Sequence, residues 1–134
     1  MNPANLLLLL TNTVRAEIGL VPLRENTVLA QVAQEHAAAM ALGGYFDHID
    51  NAGRGVGERL LAAGYNYRWC GENISAGKHD AAEVMRWWLS SDGHRANILK
   101  PEFVETGFGY YFIAADRNVF HHYWVQVFAT HLPG

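Results

Sequence analysis

The sequence predicts an α+β chain folded as a three-layer α-β-α sandwich with a mainly antiparallel central sheet. Three observations predict it. Apolar residues recur at helical spacing through positions 3–42, and the period changes to two in the last third, which is rich in Val, Phe, Tyr and Trp. The second of the two strands expected there is apolar on both faces, and such a sheet is one covered on both sides.

Asn2 before Pro3 reads as an N-cap with proline at the first helical position, and Gly19 as the stop, so a first helix runs from about 3 to 18. Leu7, Leu10, Val14 and Ile18 form its inward stripe. A second helix, about 26–42 with Asn26 as cap, turns Leu29, Val32, His36 and Met40 inward and ends at Gly43-Gly44. Tyr45 to Gly57 is an irregular loop carrying Asp47, His48, Asp50 and Asn51, followed by a short helix from Val56 to Ala63. A long helix from about Asp80 to Ser90 takes Asp80 as its cap. Gly93 is expected to break it, and Pro101 to close the short helical piece that follows. Strands over 106–114 and 119–129 join through a turn at Asp116-Arg117-Asn118. In the second, Phe120, His122, Trp124, Gln126 and Phe128 face one way and Val119, His121, Tyr123, Val125 and Val127 the other.

A chain of 134 residues, half of them apolar, supplies one core, so residues 1–134 form a single domain. A formal charge of −3 provides no positive field for nucleic acid or anionic membrane. The lone Cys70 excludes an internal disulfide framework. Leu6 to Leu10 is too short for the apolar core of an export signal and lacks a preceding base, and no run approaches the ~20 residues that span a bilayer.

Of the seven histidines, His36 reads as a hydrogen-bonded core residue, and His79 and His131 as solvated. His121 and His122 face opposite sides of a strand and cannot share one ion. His48 and His94 stand apart, because both lie in Gly- and Asp-rich segments whose side chains can converge on a cleft. Glu72, in the otherwise apolar "CGENI", needs a hydrogen-bonding partner or a cation. Two histidines with a carboxylate match a zinc site with an open water position, or a histidine pair with the acid working on bound water. "GRGVGERL" is no dinucleotide loop, since Glu58 stands where the third glycine belongs. Cys70 reads as a buried, inert thiol rather than a nucleophile paired with His94, and Trp87 and Trp88 as core and cleft wall.

Taken in order, "FDH" (46–48), "AGYNYRWCGENI" (63–74), "WLSSDGHRANIL" (88–99), "ETGFGY" (105–110) and "YWVQVF" (123–128) resemble the CAP superfamily, the cysteine-rich secretory, antigen 5 and pathogenesis-related proteins, in its bacterial, disulfide-free branch. The resemblance implies the SCP-like α-β-α fold and a central cavity with two histidines and two acids, where a divalent metal, zinc foremost, binds through the histidines. Carried over, these are His48, Glu72 and His94, and the metal ligands are His48 and His94. The fourth position departs from the family: Ser91 stands where many members carry glutamate. Glu83 is eight residues away, about 12 Å along a helix, and adjacent Asp92 does not share the face of Ser91.

Three functions compete on this reading. The first is a secreted-type binding module whose cavity, at His48, Glu72, Ser91 and His94, takes a small apolar molecule, a divalent metal or an extracellular or cell-wall polymer. The second is a metal-assisted hydrolase, a protease or cell-wall enzyme, with His48 and His94 holding the ion and Glu72 as the candidate catalytic residue. The third is a structural role in which both histidines are satisfied polar groups. No organic cofactor, nucleic acid or membrane span is expected. An extracellular or cell-envelope location with the export signal outside this chain is the expectation, with a cytoplasmic one as the alternative.

Overall fold

The computed structural model describes residues 2–133. Helix α1 spans Pro3–Glu17, and the Asn2 side chain caps it by accepting from the Asn5 N–H at 2.8 Å. A two-residue strand β1, Arg24–Glu25, leads to α2, Thr27–Gly43. Asn26 caps α2 through the Val28 and Leu29 N–H groups, and Gly44 ends it in the left-handed conformation, φ 69°. There follow α3 (Val56–Ala62), β2 (Tyr67–Ala76), α4 (Ala81–Ser90), α5 (Asp92–Ile98), β3 (Glu105–Phe112) and β4 (His122–His131).

The sheet order is β1-β3-β4-β2, with only the β1–β3 pair parallel. One face carries Tyr123, Val125, Val127 and Ala129 of β4 against Leu29, Val32, Ala33, Ala37 and Met40 of α2. The other carries Trp124 and Phe128 against Leu7 of α1 and Val84, Met85 and Trp88 of α4. Helices therefore cover both faces, which is the three-layer arrangement expected from the two apolar faces of β4.

Several local expectations are corrected. The buried stripe of α1 is Leu7, Thr11 and Arg15, while Ile18 is 58% exposed. The reason is the Arg15 guanidinium, which is buried and donates to the carbonyls of Val21, Ile98, Lys100 and Phe103 at 2.9–3.3 Å, so a polar anchor occupies the inward face. The segment around "CGENI" is strand β2, whose mixed burial hides a period of two. Gly93 lies inside α5, and the break between helices falls at Ser91, which adopts extended φ and ψ of −108° and 125°. The hairpin connection is longer than a three-residue turn, since β3 ends at Phe112 and β4 begins at His122. Val119 and His121 within it have positive φ of 57° and 65°, so the strand alternation fails for residues 119–121. Asp116 organises this loop by accepting from the N–H groups of Asn118 and His121 and from the Tyr123 hydroxyl.

Candidate functional site

Three pieces of chain converge where β2 passes beneath the loop that follows α2. The loop brings His48, β2 brings Glu72, and α5 brings His94. The α4–α5 break lets α5 turn back over β2. The turn is secured by an amide ladder: Asn73, fully buried, donates to the His94 carbonyl at 3.0 Å, and Asn97 donates to the Asn73 side chain at 2.9 Å and to the Glu72 carbonyl at 3.3 Å.

His48 and His94 share the wall of a cavity of about 280 Å³ with Phe46, Asp47, Ile74 and Trp87. Glu72 lies beneath His48, only 6% exposed. The His48 Nδ1–H donates to Glu72 Oε1 at 2.9 Å. Arg59 of α3 donates to Glu72 Oε2 from one terminal nitrogen at 2.9 Å, and from the other to Oε1 at 3.1 Å and to the His48 carbonyl at 2.9 Å. The carboxylate thus receives a bidentate guanidinium and an imidazole. Desolvation would raise its pKa, but the hydrogen bonds from His48 and Arg59 outweigh it and hold the carboxyl below its ordinary range. The bond to Glu72 raises the pKa of His48, whereas burial, with His48 nearby, lowers that of His94. The His94 Nδ1 is buried without a partner.

Ser91 is not among the residues lining this cavity, and its carbonyl accepts from the Arg95 N–H at the start of α5. Glu83 sits in the first turn of α4, its N–H bonded to the Asp80 cap and its carboxylate accepting from the His79 N–H. Glu83 lines a separate cleft with Lys78, Arg86, Trp87 and Ser90, and the acid among the residues lining the histidine cavity is Asp47. Arg59 is the site residue that sequence reasoning missed. Its signal was a lone arginine on the inward side of the short helix "VGERLLA", next to the buried Leu60.

The remaining candidates resolve elsewhere. His36 is buried on α2, with Nε2 donating to the Asp47 carbonyl at 2.8 Å. His121 and His122 do not lie on opposite faces of a strand, because His121 sits in the loop with positive φ; its ring meets the Ile113 carbonyl, that of His122 the Tyr110 hydroxyl, and both line one cleft with His79. His79 is exposed and packs its ring 4.8 Å from that of His122, and His131 stacks on Tyr65 at 3.8 Å. Cys70 is a free, half-buried thiol whose pKa burial raises, which suppresses the thiolate. Trp88 is core, donating to the Ile74 carbonyl, and Trp87 is cleft wall.

Metal ligation is limited by this donor set. Among the described residues no three His, Cys, Asp or Glu side chains are grouped to hold an ion. Two imidazoles face the cavity, and Glu72 fits the role of a carboxylate that orients His48 rather than that of a ligand.

The three-layer sandwich superposes on a solved SCP-domain structure. The chain belongs to the cysteine-rich secretory protein (CAP) family, whose profile matches residues 8–128. The uncharacterised Bacillus subtilis protein YkwD is 37% identical over 101 residues, 75% of this chain and 39% of YkwD. The uncharacterised membrane protein YlbC of the same organism is 31% identical over 100 residues, 75% of this chain and 29% of YlbC. This chain therefore spans well under half the length of either relative. Among solved structures, an extracellular Bacillus anthracis protein containing an SCP domain superposes with a TM-score of 0.84 at 29% identity, over 95% of this chain and 40% of that one. An outer surface protein of Borrelia burgdorferi superposes with a TM-score of 0.86 over 96% of this chain and 92% of its own, at 17% identity, a likeness of fold.

Proposed function

We propose that the domain is a non-catalytic binding module whose cavity takes a small, largely apolar molecule with a polar end that meets His48 and His94. One observation carries this reading: Glu72 is 6% exposed and its two oxygens accept three hydrogen bonds from Arg59 and His48, so the carboxylate is tied up as a buried ion-pair partner rather than presented to a water in the cavity. The apolar side chains of Phe46, Ile74 and Trp87 supply the surface for the rest of the ligand. The resemblance to extracellular and outer-surface bacterial proteins supports an extracellular or envelope setting. No helix among the described residues is long and apolar enough to cross a membrane.

The second reading, a metal-assisted hydrolase, draws on the paired imidazoles. His48 and His94 would hold a zinc ion, which would supply a polarised water when bound. Calorimetric titration of the metal-stripped protein with zinc, beside His48→Ala and His94→Ala, separates the two. NMR titration with indole as an apolar probe should shift the Trp87, His48 and His94 resonances, and Trp87→Ala should abolish the effect. Failure of indole to shift them, with tight zinc binding lost in both alanine variants, would overturn the binding-module reading.

A further inference from the structure

We infer that His79 and His122 form a divalent transition-metal site, separate from the cavity at His48 and His94, that takes an ion of the zinc, copper or nickel class. Both line a cleft of about 330 Å³ with Gly77, Phe112, Phe120 and His121. Their ring centroids are 4.8 Å apart and the planes are tilted by 30°. An ion about 2.1 Å from one nitrogen of each ring, with an angle of about 90–109° at the ion, puts the centroids about 4.5–5.2 Å apart. The observed spacing falls inside that interval.

The backbone around both rings is held in place before any ion arrives. The Gly77 N–H donates to the His122 carbonyl at 2.8 Å, the Trp124 Nε1–H to the Lys78 carbonyl at 2.8 Å, and the His79 N–H to the Glu83 carboxylate at 3.0 Å. These bonds tie the segment carrying His79 to the start of β4. On the other side, the His122 N–H reaches the Phe120 carbonyl at 2.7 Å in a γ-turn centred on His121, whose φ is 65°. Such strain persists only where the surroundings hold it, and Asp116 does so through the N–H groups of Asn118 and His121 and the Tyr123 hydroxyl. The turn closes on His122 and fixes the backbone from which its ring projects.

The chemistry is that of imidazole ligation. His122 Nδ1 lies 2.7 Å from the Tyr110 hydroxyl. With an ion on Nε2, Nδ1 carries the proton and donates to the Tyr110 oxygen, the outer partner that orients a ligating histidine. Histidines are the only ionisable groups among the described residues lining the cleft. Neutral imidazoles select late first-row ions over magnesium and calcium, which take oxygen ligands. Two imidazoles leave the remaining coordination positions to water, and His79 is exposed, so an ion enters without disturbing the core. This inference is independent of what occupies the cavity at His48 and His94.

NMR titration of the full chain with zinc tests it, reading the imidazole nitrogens of all seven histidines. The expected result is a saturable shift of His79 and His122 that persists in His94→Ala and that magnesium does not produce. His79→Ala, at an exposed side chain, should weaken zinc at this site about tenfold or more. Tyr110→Phe, which removes the partner of His122 Nδ1, should also weaken it about tenfold and leave the response of His48 and His94 unchanged. A zinc response confined to His48 and His94, an unchanged affinity at His122 in His79→Ala, or an equal shift with magnesium would each overturn it.

Discussion

Arg59 illustrates how one side chain sets the character of the site. Its guanidinium compensates a carboxylate that is 6% exposed, and removing one member of a buried pair leaves the other uncompensated. Arg59→Ala should cost about 3 kcal/mol in urea denaturation, and Arg59→Met combined with Glu72→Gln should recover more than half of that loss. The histidines should separate by titration. His48 is expected to titrate above 6.5 and His94 and His36 below it in an NMR pH series, with Glu72→Gln returning His48 toward 6.5. The sign for stability follows. The raised pKa of His48 gives a contribution complete below 6.5 and lost as pH rises through the folded value. The depressed pKa of Glu72 gives one present above 4.5 and lost as pH falls through its folded value, so the pair is at full strength between these limits. The lowered values of His36 and His94 work the other way, removing stability as pH falls below 6.5.

Among the elements, α2 and β3 approach more closely than any side chain would permit. A Cβ on Gly107 would lie 2.1 Å from the Ala30 nitrogen, and one on Gly109 2.4 Å from the backbone of Ala33. Gly107→Ala must push helix from sheet, and a loss of about 3 kcal/mol or more is expected by chemical denaturation. The helices were legible because caps and periodicity are local: Asn2, Asn26 and Asp80 are caps in sequence and in structure. Strand β2 was not legible, because its first half is partly or fully exposed and Glu72 to Ser75 are buried on consecutive positions, which erases the alternation. The two-residue β1 carries no periodicity at all. The site was legible in its residue types, His48, Glu72 and His94, but the amide ladder of Asn73 and Asn97 that holds α5 against β2 joins residues more than 20 apart.

Across the whole molecule, Arg15 ties the first helix to the segment leaving the fifth, 83 to 88 residues later. Arg15→Met would leave four carbonyls without their donor, and the melting temperature should fall by roughly 10 °C or more, read by calorimetry. What the amino-acid sequence determined by itself was the layering: helical periodicity first and a two-faced apolar strand last. Family membership, too, could be read from ordered motifs alone. Only the tertiary structure decided that Glu72 meets Arg59 and His48, and that Ser91 falls at the junction of α4 and α5. Periodicity and capping act between near neighbours and are written in spacing, whereas the partner of a buried charge is chosen by chain segments that meet only after folding.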